Sequence, residues 1–178
     1  MSERFGARID GVLGHSFLKG HIVEIDYPAG VLRLDPSETL GGAATVVVAR
    51  LPFRYRDDIL LTGVSVGGRP VVATLDTGSD GTFKFTPRAT VDLGLDADVQ
   101  RAAPATSEGY AGSRTTREGT LSSSIDVGGI RVDAPRATFF GPDFGTREWA
   151  LNIGNAFLKD YIVRIDYGKR IVSIARPR

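Results

Sequence analysis

The residues best suited to acid–base chemistry in this sequence form the segment Asp76-Thr77-Gly78-Ser79. The segment follows the apolar run Val71–Leu75, which places the Asp76 carboxylate at the end of a predicted strand. A carboxylate can take a proton from water, and a protonated carboxyl can donate one to a carbonyl oxygen. Asp-Thr-Gly is also ordinary turn chemistry, in which Asp bonds its own backbone and Gly takes positive φ. The motif alone therefore leaves a plain turn and a catalytic loop both open.

The composition excludes several other chemistries. The chain has no cysteine and only two histidines, which leaves no thiolate nucleophile, disulfide framework or zinc–thiolate site, and no His-rich metal site. We expect no cofactor and no metal. The 22 Lys and Arg residues balance 21 Asp and Glu residues to a net charge of +1, and the basic residues are scattered, so nucleic acid is not an expected partner.

Membrane and targeting signals are also missing from the sequence as given. No apolar run approaches the roughly 20 residues of a membrane helix, so no membrane span is expected. Residues 1–20 carry Glu3, Arg4, Arg8 and Asp10 where a signal peptide would be apolar. The chain alone reads as untargeted and cytoplasmic. Export stays possible if an upstream segment is missing, and the lack of cysteine fits either redox compartment.

Short β-branched runs punctuated by 22 glycines and nine prolines predict an all-β chain. Gly67-Gly68 and Gly128-Gly129 each separate two apolar runs, as a tight hairpin turn requires. Short helices are expected from Pro87 to Leu93, ended by Gly94, and from Asn155 to Asp160. The predicted strands are Ile22–Ile25, Val31–Leu34, Thr45–Val48, Ile59–Val66, Pro70–Leu75, Leu121–Val127, Ile130–Val132, Arg136–Phe139, Ile162–Ile165 and Ile171–Ile174.

An internal repeat sets the predicted domain organisation. Shifting the sequence by 140 residues aligns residues 10–34 with residues 150–174 at nine identical positions, including Gly14 with Gly154 and Phe17 with Phe157. Residues 50–178 are therefore expected to be a complete domain and residues 1–35 the C-terminal part of a preceding copy. Residues 36–49 would be the linker. We expect residues 1–35 to pack against the complete domain as a helix and extra strands, because they are too apolar to stay solvated.

Taken together, these features resemble the retropepsin-like aspartic proteases, particularly bacterial members with two tandem copies. Asp76-Thr77-Gly78 follows a Gly-Gly hairpin and an apolar strand, and an apolar-Gly step, a short helix and a final strand come about 75 residues later. The resemblance covers residues 50–178 completely and residues 1–35 in part. It implies an all-β, retropepsin-like acid protease barrel with one or two short helices.

The resemblance also implies roles for the loop residues. Asp76 would be the catalytic carboxylate, and Thr77 would bond across a dimer axis to its counterpart. Gly78 would let the backbone approach the substrate, Ser79 would hold the outer carboxylate oxygen, and Asp80 would bond the substrate main chain.

Further substrate contacts are expected in two places. The Gly-rich stretch 106–113 would be a flap, with Gly109 permitting closure and Tyr110 at the tip, although an exposed loop aromatic is an equal alternative for Tyr110. Asn152 and Ile153 would face the substrate pocket. Asn152 stands where the family has an apolar residue, and Asn155 stands where viral members have an Arg that pairs with the Asp matching Asp80.

These expectations lead to one function and one alternative. The function is an aspartic endopeptidase that hydrolyses peptide bonds with a water activated by two Asp residues. The sequence contains one Asp-Thr-Gly, so the second would come from a homodimer or a tandem domain, and Val172–Ile174 would lie at a dimer interface. If Val31–Leu34 instead joins the same sheet within the chain, a catalytically silent pseudo-dimer is expected. The alternative is a silent peptide-binding or scaffolding module with the same fold.

Overall fold

The computed structural model describes Arg8, Asp10, Gly11 and residues 13–35, 45–109 and 112–177. The helices are α1 (His15–Leu18), α2 (Pro87–Leu93), α3 (Asp96–Arg101) and α4 (Asn155–Leu158), with a 3₁₀ turn at Pro142–Phe144. The strands are β1 (Ile22–Asp26), β2 (Val31–Leu34), β3 (Thr45–Arg56), β4 (Asp58–Val66), β5 (Arg69–Leu75), β6 (Phe83–Phe85), β7 (Ala103–Gly109), β8 (Gly112–Thr120), β9 (Ile125–Val127), β10 (Ile130–Val132), β11 (Arg136–Phe140), β12 (Leu151–Ile153), β13 (Ile162–Asp166) and β14 (Ile171–Pro177).

The expected all-β class is confirmed, because the described strands form one continuous hydrogen-bonded network. Their order is β2-β1-β13-β14-β3-β4-β5-β12-β6-β11-β8-β7, and the β9–β10 hairpin joins through β9 to β4. Three phenylalanines fill the centre of the core: Phe83, Phe85 and Phe139. Among the described residues, no helix is long and apolar enough to cross a bilayer.

Both Gly-Gly hairpins form as expected. Val66 pairs with Arg69 across Gly67 and Gly68, whose φ angles are 55° and 79°. Gly128 and Gly129 make the same kind of turn between β9 and β10, with φ angles of 62° and 96°. Two consecutive residues at positive φ match the twist of the flanking strands, which is why glycine stands at each of these positions.

The position of β12 brings two distant parts of the chain together. β12 lies between β5, to which it is parallel, and β6, to which it is antiparallel. Ile153 is opposite Leu75 on one side and Phe83 on the other. The loop that follows Leu75 therefore lies beside the chain that follows Ile153.

Residues 13–35 pack against the complete domain, as expected. β1 pairs antiparallel with β13, and β2 forms a hairpin with β1. Val31–Leu34 thus lies in the same sheet as β14 within one chain. The assignment of Val172–Ile174 to a dimer interface is wrong for this chain, because β14 is hydrogen-bonded to β13 on one edge and to β3 on the other.

Some predicted boundaries need correction. The predicted linker ends too late, because β3 starts at Thr45; residues 36–44 lie outside the described residues. The predicted strand Leu121–Val127 begins only at Ile125, since the amide and hydroxyl of Ser122 both donate to the Asp98 carboxylate and leave the strand ladder. The helix expected from Asn155 to Asp160 ends at Leu158.

The strands β6, β7, β8 and β12 were not predicted. β7 and β8 form a long hairpin that includes the described part of the stretch expected to be a flap, and Gly109 pairs with Gly112. Their residues are mostly exposed or half-buried, so their sequences lack the apolar alternation that signals a strand. Pairing between the two strands holds them extended.

Candidate active site

The Asp76 side chain is half-buried at the end of β5, and both its carboxylate oxygens have donors. The Gly78 amide donates to Oδ1 over 3.0 Å, and the Asn152 side-chain amide Nδ2 donates to Oδ2 over 2.9 Å. The backbone amide of Asp76 also donates to the carbonyl of Ile153 over 3.0 Å. The carboxylate is fixed by its own turn and by β12, while the neighbouring Thr77 and Gly78 are exposed.

Asn152 was expected to face a substrate pocket, and its side chain instead holds Asp76. Asn152 is buried in the middle of β12, between Thr74 and Lys84 on the adjacent strands. Its Oδ1 is buried and has no hydrogen-bond partner among the described residues. A polar residue at this buried place is costly unless it is bonded, so its contact with Asp76 gives a physical reason for the departure from two apolar residues before Gly154.

Ser79 was expected to hold the outer oxygen of Asp76, a position taken by Asn152. Ser79 is buried, and its Oγ has no hydrogen-bond partner in the described part of the chain. Its backbone carbonyl accepts a hydrogen bond from the backbone amide of Asn155 over 2.7 Å. Ser79 thus supports the loop through its backbone.

The start of α4 braces the Asp76 loop. Asn155 Nδ2 donates to the Thr77 carbonyl over 2.7 Å, and the Ala156 amide donates to the Gly81 carbonyl over 3.1 Å. Gly154 lies so close to the loop that a Cβ there would be 2.4 Å from the Gly81 carbonyl oxygen. Glycine is required at position 154 by this close approach of two backbones.

Asp80 forms an ion pair with Lys84. Asn155 stands where viral members of the family have the Arg that pairs with this Asp. Lys84 Nζ lies 3.1 Å from Asp80 Oδ1; the lysine is buried, whereas the Asp80 side chain is fully exposed. Lys84 was not identified from the sequence, although the alternation Phe83-Lys84-Phe85 was a usable signal. Because Lys84 lies on a short central strand, it orients Asp80 at the rim of the loop.

A cleft of about 370 Å³ opens beside this ion pair. One wall is formed by residues 80–82, which follow the Asp76 motif, and by Lys84 of β6, and the other wall is β7 of the long hairpin. Ile153 is fully buried in the core rather than in the cleft, and Gly109 is not among the lining residues. Tyr110, the expected tip, lies outside the described residues. The wall residues are Asp80, Gly81, Thr82 and Lys84 on one side, Thr106, Ser107 and Glu108 on the other, and Glu118, Arg136, Ala137, Thr138 and Ala156 between them.

Tyr27, which is identical to Tyr167 in the repeat, was not expected near the candidate site. It comes from the hairpin β1–β2, and its backbone amide donates to the Tyr161 carbonyl over 3.3 Å. Its hydroxyl is buried without a hydrogen-bond partner among the described residues. Burial, and then the negative charge of Asp76, raise the pKa of Tyr27 to about 12. The charge of Asp76 therefore acts on a side chain of the β1–β2 hairpin.

Comparison with known proteins assigns the class. The family described as Aspartyl protease matches residues 62–154, which include the Asp76 loop, the long hairpin and Gly154. The chain belongs to the aspartyl protease family. Its fold is similar to the crystal structure of a retropepsin-like aspartic protease from Rickettsia conorii, with a TM-score of 0.53 and 19% sequence identity over 74% of this chain and 93% of that one. The fold is retropepsin-like, as expected. No curated protein matches the sequence significantly.

Proposed function

We propose that the protein is an aspartic endopeptidase in which Asp76 is one half of a catalytic pair. The observation that carries this proposal is the Asp76 carboxylate, which is fixed by Gly78 and Asn152 in a loop whose following residues, from Asp80 to Thr82, line an open cleft. Thr77 and Gly78 are exposed beside it, so a second loop can approach. In this proposal Asp80, whose side chain is exposed and paired with Lys84, bonds the main chain of an extended peptide.

The chemistry needs two carboxyl groups about 3 Å apart that share one proton. The unprotonated carboxylate takes a proton from water as the water oxygen adds to the scissile carbonyl carbon. The protonated carboxyl gives its proton to the carbonyl oxygen, and a tetrahedral diol forms. The diol collapses when its C–N bond breaks, the nitrogen takes a proton from the pair, and the pair regains one from the diol. The macroscopic pKa values belong to the pair.

The second carboxylate comes from an equivalent loop, because this chain has one Asp-Thr-Gly. Within the described residues, the hydrogen bonds to the Asp76 carboxylate come from the Gly78 backbone amide and the Asn152 side-chain amide, and no second carboxyl group is among the donors. Either another molecule or a tandem domain can supply the equivalent loop. In this proposal Gly109, where β7 ends, and its sequence neighbour Tyr110 would close over the bound peptide.

The direct test is a chain that contains two loops. Because Leu13 aligns with Ile153 in the repeat, residues 45–152 can be placed directly before residue 13 without an invented linker. We expect this tandem chain to cleave a peptide library at acidic pH, and a statine-type peptide to inhibit it because its hydroxyl replaces the attacking water. Chelators and thiol reagents should have no effect.

Variants of the tandem chain identify the acid. Asp76→Asn in either copy should lower the cleavage rate by about 10³-fold, because it removes a general acid–base group. Asp92→Asn is the matched control, since Asp92 is an exposed carboxylate on α2 that pairs with Arg88. Activity that survives Asp76→Asn in both copies would exclude the proposed mechanism.

A catalytically silent peptide-binding module is the second candidate. Two observations favour it. Val31–Leu34 joins the same sheet within the chain, which is the arrangement expected of a catalytically silent pseudo-dimer, and β1 occupies the edge of β13 and so closes it to a second molecule. For such a module, the tandem chain would capture the statine-type peptide without cleaving any member of the library, and Asp76→Asn would leave capture intact.

A further inference from the structure

The two units of the repeat have the same local structure. We define the first unit as residues 13–34, which contain α1, β1 and β2. The second unit is the equivalent residues 153–174, which contain α4, β13 and the first part of β14. The His21 amide donates to the Leu18 carbonyl over 3.0 Å, and the equivalent Tyr161 amide donates to the Leu158 carbonyl over 2.9 Å. The 140-residue repeat in sequence is therefore a repeat in three dimensions.

The two units are related by an internal two-fold axis. β1 and β13 pair antiparallel with Glu24 opposite Arg164, and these two residues are equivalent in the repeat. The pairs on either side are exchanged by the axis, because Ile22 meets Asp166 and Asp26 meets Ile162. A register that places equivalent residues opposite each other is the register of a two-fold interface.

The same apolar positions are covered in the second unit and open in the first. Three pairs show the difference in exposure: Leu13 at 69% against Ile153 at 0%, Phe17 at 44% against Phe157 at 6%, and Leu32 at 58% against Val172 at 0%. We call Leu13, Phe17, Leu32 and Leu34 the open face. Each of its residues is apolar and is equivalent in the repeat to a buried apolar residue of the second unit.

The second unit shows what kind of structure covers such a face. β3 pairs with β14, with Leu51 opposite Val172, and Phe83 packs on Phe157 with ring centroids 5.4 Å apart. The Asp76 loop presses on Gly154. In the first unit, β2 is the outer strand of the described sheet, and a Cβ at Gly14 would meet none of the described atoms within 4 Å.

We propose that the open face is the docking surface for a second domain of this fold, equivalent to residues 45–152. A strand equivalent to β3 would pair with β2, and an Asp-Thr-Gly loop would lie against Gly14. The two-fold axis then places that loop opposite the Asp76 loop. The inference rests on the proposed function for the role of the second loop, and it names the partner that supplies it.

The ion pair at the axis selects this partner over a second copy of the same domain. Arg164 Nη2 lies 2.8 Å from Glu24 Oε2, and both side chains are nearly or fully buried. The other oxygen of Glu24 accepts from Arg33 over 3.1 Å. If β13 of a second molecule replaced β1, Arg164 would face Arg164, and two like charges would be buried without a carboxylate between them. The partner therefore joins through the open face, with β1 kept in place.

Amide exchange measured by NMR in the tandem chain defined above tests this docking. The Asp35 amide donates to the Ile22 carbonyl, so the alternation of the antiparallel ladder directs the amides of Leu32 and Leu34 away from β1. In the tandem chain these two amides should exchange about 100-fold more slowly than in the 178-residue chain. The amides of Val31 and Arg33, which point to β1, serve as internal references.

A charge placed in the open face should reverse this protection. Leu32→Glu in the tandem chain should restore fast exchange at Leu34, while Val91→Glu in the second copy should not, because Val91 is equally apolar and exposed but lies on α2. Unchanged exchange at Leu32 and Leu34 in a folded tandem chain would overturn the inference. Protection without peptide cleavage would uphold docking and count against the peptidase. Cleavage without protection would do the opposite.

A second measurement on the 178-residue chain decides the matter if the tandem chain does not fold. A synthetic peptide of residues 45–56, the sequence of β3, should slow exchange at Leu32 and Leu34 and should lose this effect with Leu32→Glu. A peptide of the same composition in scrambled order is the control. Equal effects of the two peptides, or no effect of either, would overturn the inference.

Discussion

Phe17 and Phe157 occupy equivalent positions in two units with the same turns and the same strand hairpin. Phe157 packs between Phe83 and Tyr161, whereas Phe17 contacts His21 and stays half exposed. The sequence of each unit thus determines its local structure. Whether the apolar side chains of a unit are buried depends on other elements of the fold, such as β6, whose Phe83 packs on Phe157. The first unit therefore keeps apolar residues at positions that are covered in the second unit.

The positions where the two units differ are also informative. Asp26 and Asp166 are identical, and each carboxylate accepts a hydrogen bond from the backbone amide three residues later, so both stabilise a turn. Glu24 and Arg164 differ, and they meet at the two-fold axis. Four of the five equivalent positions in the ladder between the units are identical, and Glu24 and Arg164 are the one difference along it.

The largest expected difference between the units is in the phenylalanine pair. Phe157→Ala should lower the free energy of unfolding by about 4 kcal/mol, because it leaves a cavity in the core. Phe17→Ala should cost less than about 1 kcal/mol in the 178-residue chain, since its ring is half exposed. Urea denaturation measures both values. Equal costs would show that Phe17 is already part of a core.

The buried ion pair should behave non-additively. Glu24→Leu leaves Arg164 buried without its carboxylate and should cost about 3 kcal/mol. The double variant Glu24→Leu with Arg164→Leu should cost clearly less than Glu24→Leu alone, because no uncompensated charge remains between the strands. A double-mutant cycle by chemical denaturation gives the coupling. Additive effects would mean that the pair does not determine how β1 and β13 associate.

The glycines of the two units give a smaller effect. Gly154→Ala should destabilise the chain by about 2 kcal/mol, because the new methyl group meets the backbone of Gly81 and Ser79. Gly14→Ala is the matched control and should be neutral, since Gly14 has nearly the same extended backbone and an open surrounding in the described structure. Thermal unfolding followed by circular dichroism distinguishes the two. In the tandem chain, Gly14→Ala should become destabilising.

Sequence patterns predicted those parts of the fold that depend on local interactions. Both Gly-Gly hairpins, the strands with apolar alternation and the repeat were readable, as was the place of Asp76 at the end of a strand. The β7–β8 hairpin was not predicted as strand, because its faces are largely exposed and its conformation depends on pairing across the turn. The sequence analysis placed Asn152 facing the pocket. Its contact with Asp76, 76 positions away, could not be predicted because it depends on β12 lying beside β5.

The smallest expected effect compares Tyr27 with its repeat equivalent Tyr167. Burial is the main cause of the raised pKa of both, but the second cause is Asp76 for Tyr27 and Tyr55 for Tyr167. Asp76→Asn should therefore lower the pKa of Tyr27 from about 12 and leave that of Tyr167 unchanged. Because the folded pKa lies above the ordinary value of 10.0, the stabilisation from neutral Tyr27 is present below pH 10 and lost as the pH rises towards 12. Tyr27→Phe should remove that part of the loss of stability at alkaline pH.

Tyrosinate absorbance measures these pKa values. The difference between the chain and Tyr27→Phe isolates the titration of Tyr27, and the difference between the chain and Tyr167→Phe is the control. Equal changes in the pKa of both tyrosines in Asp76→Asn would show that Asp76 does not act specifically on the first unit.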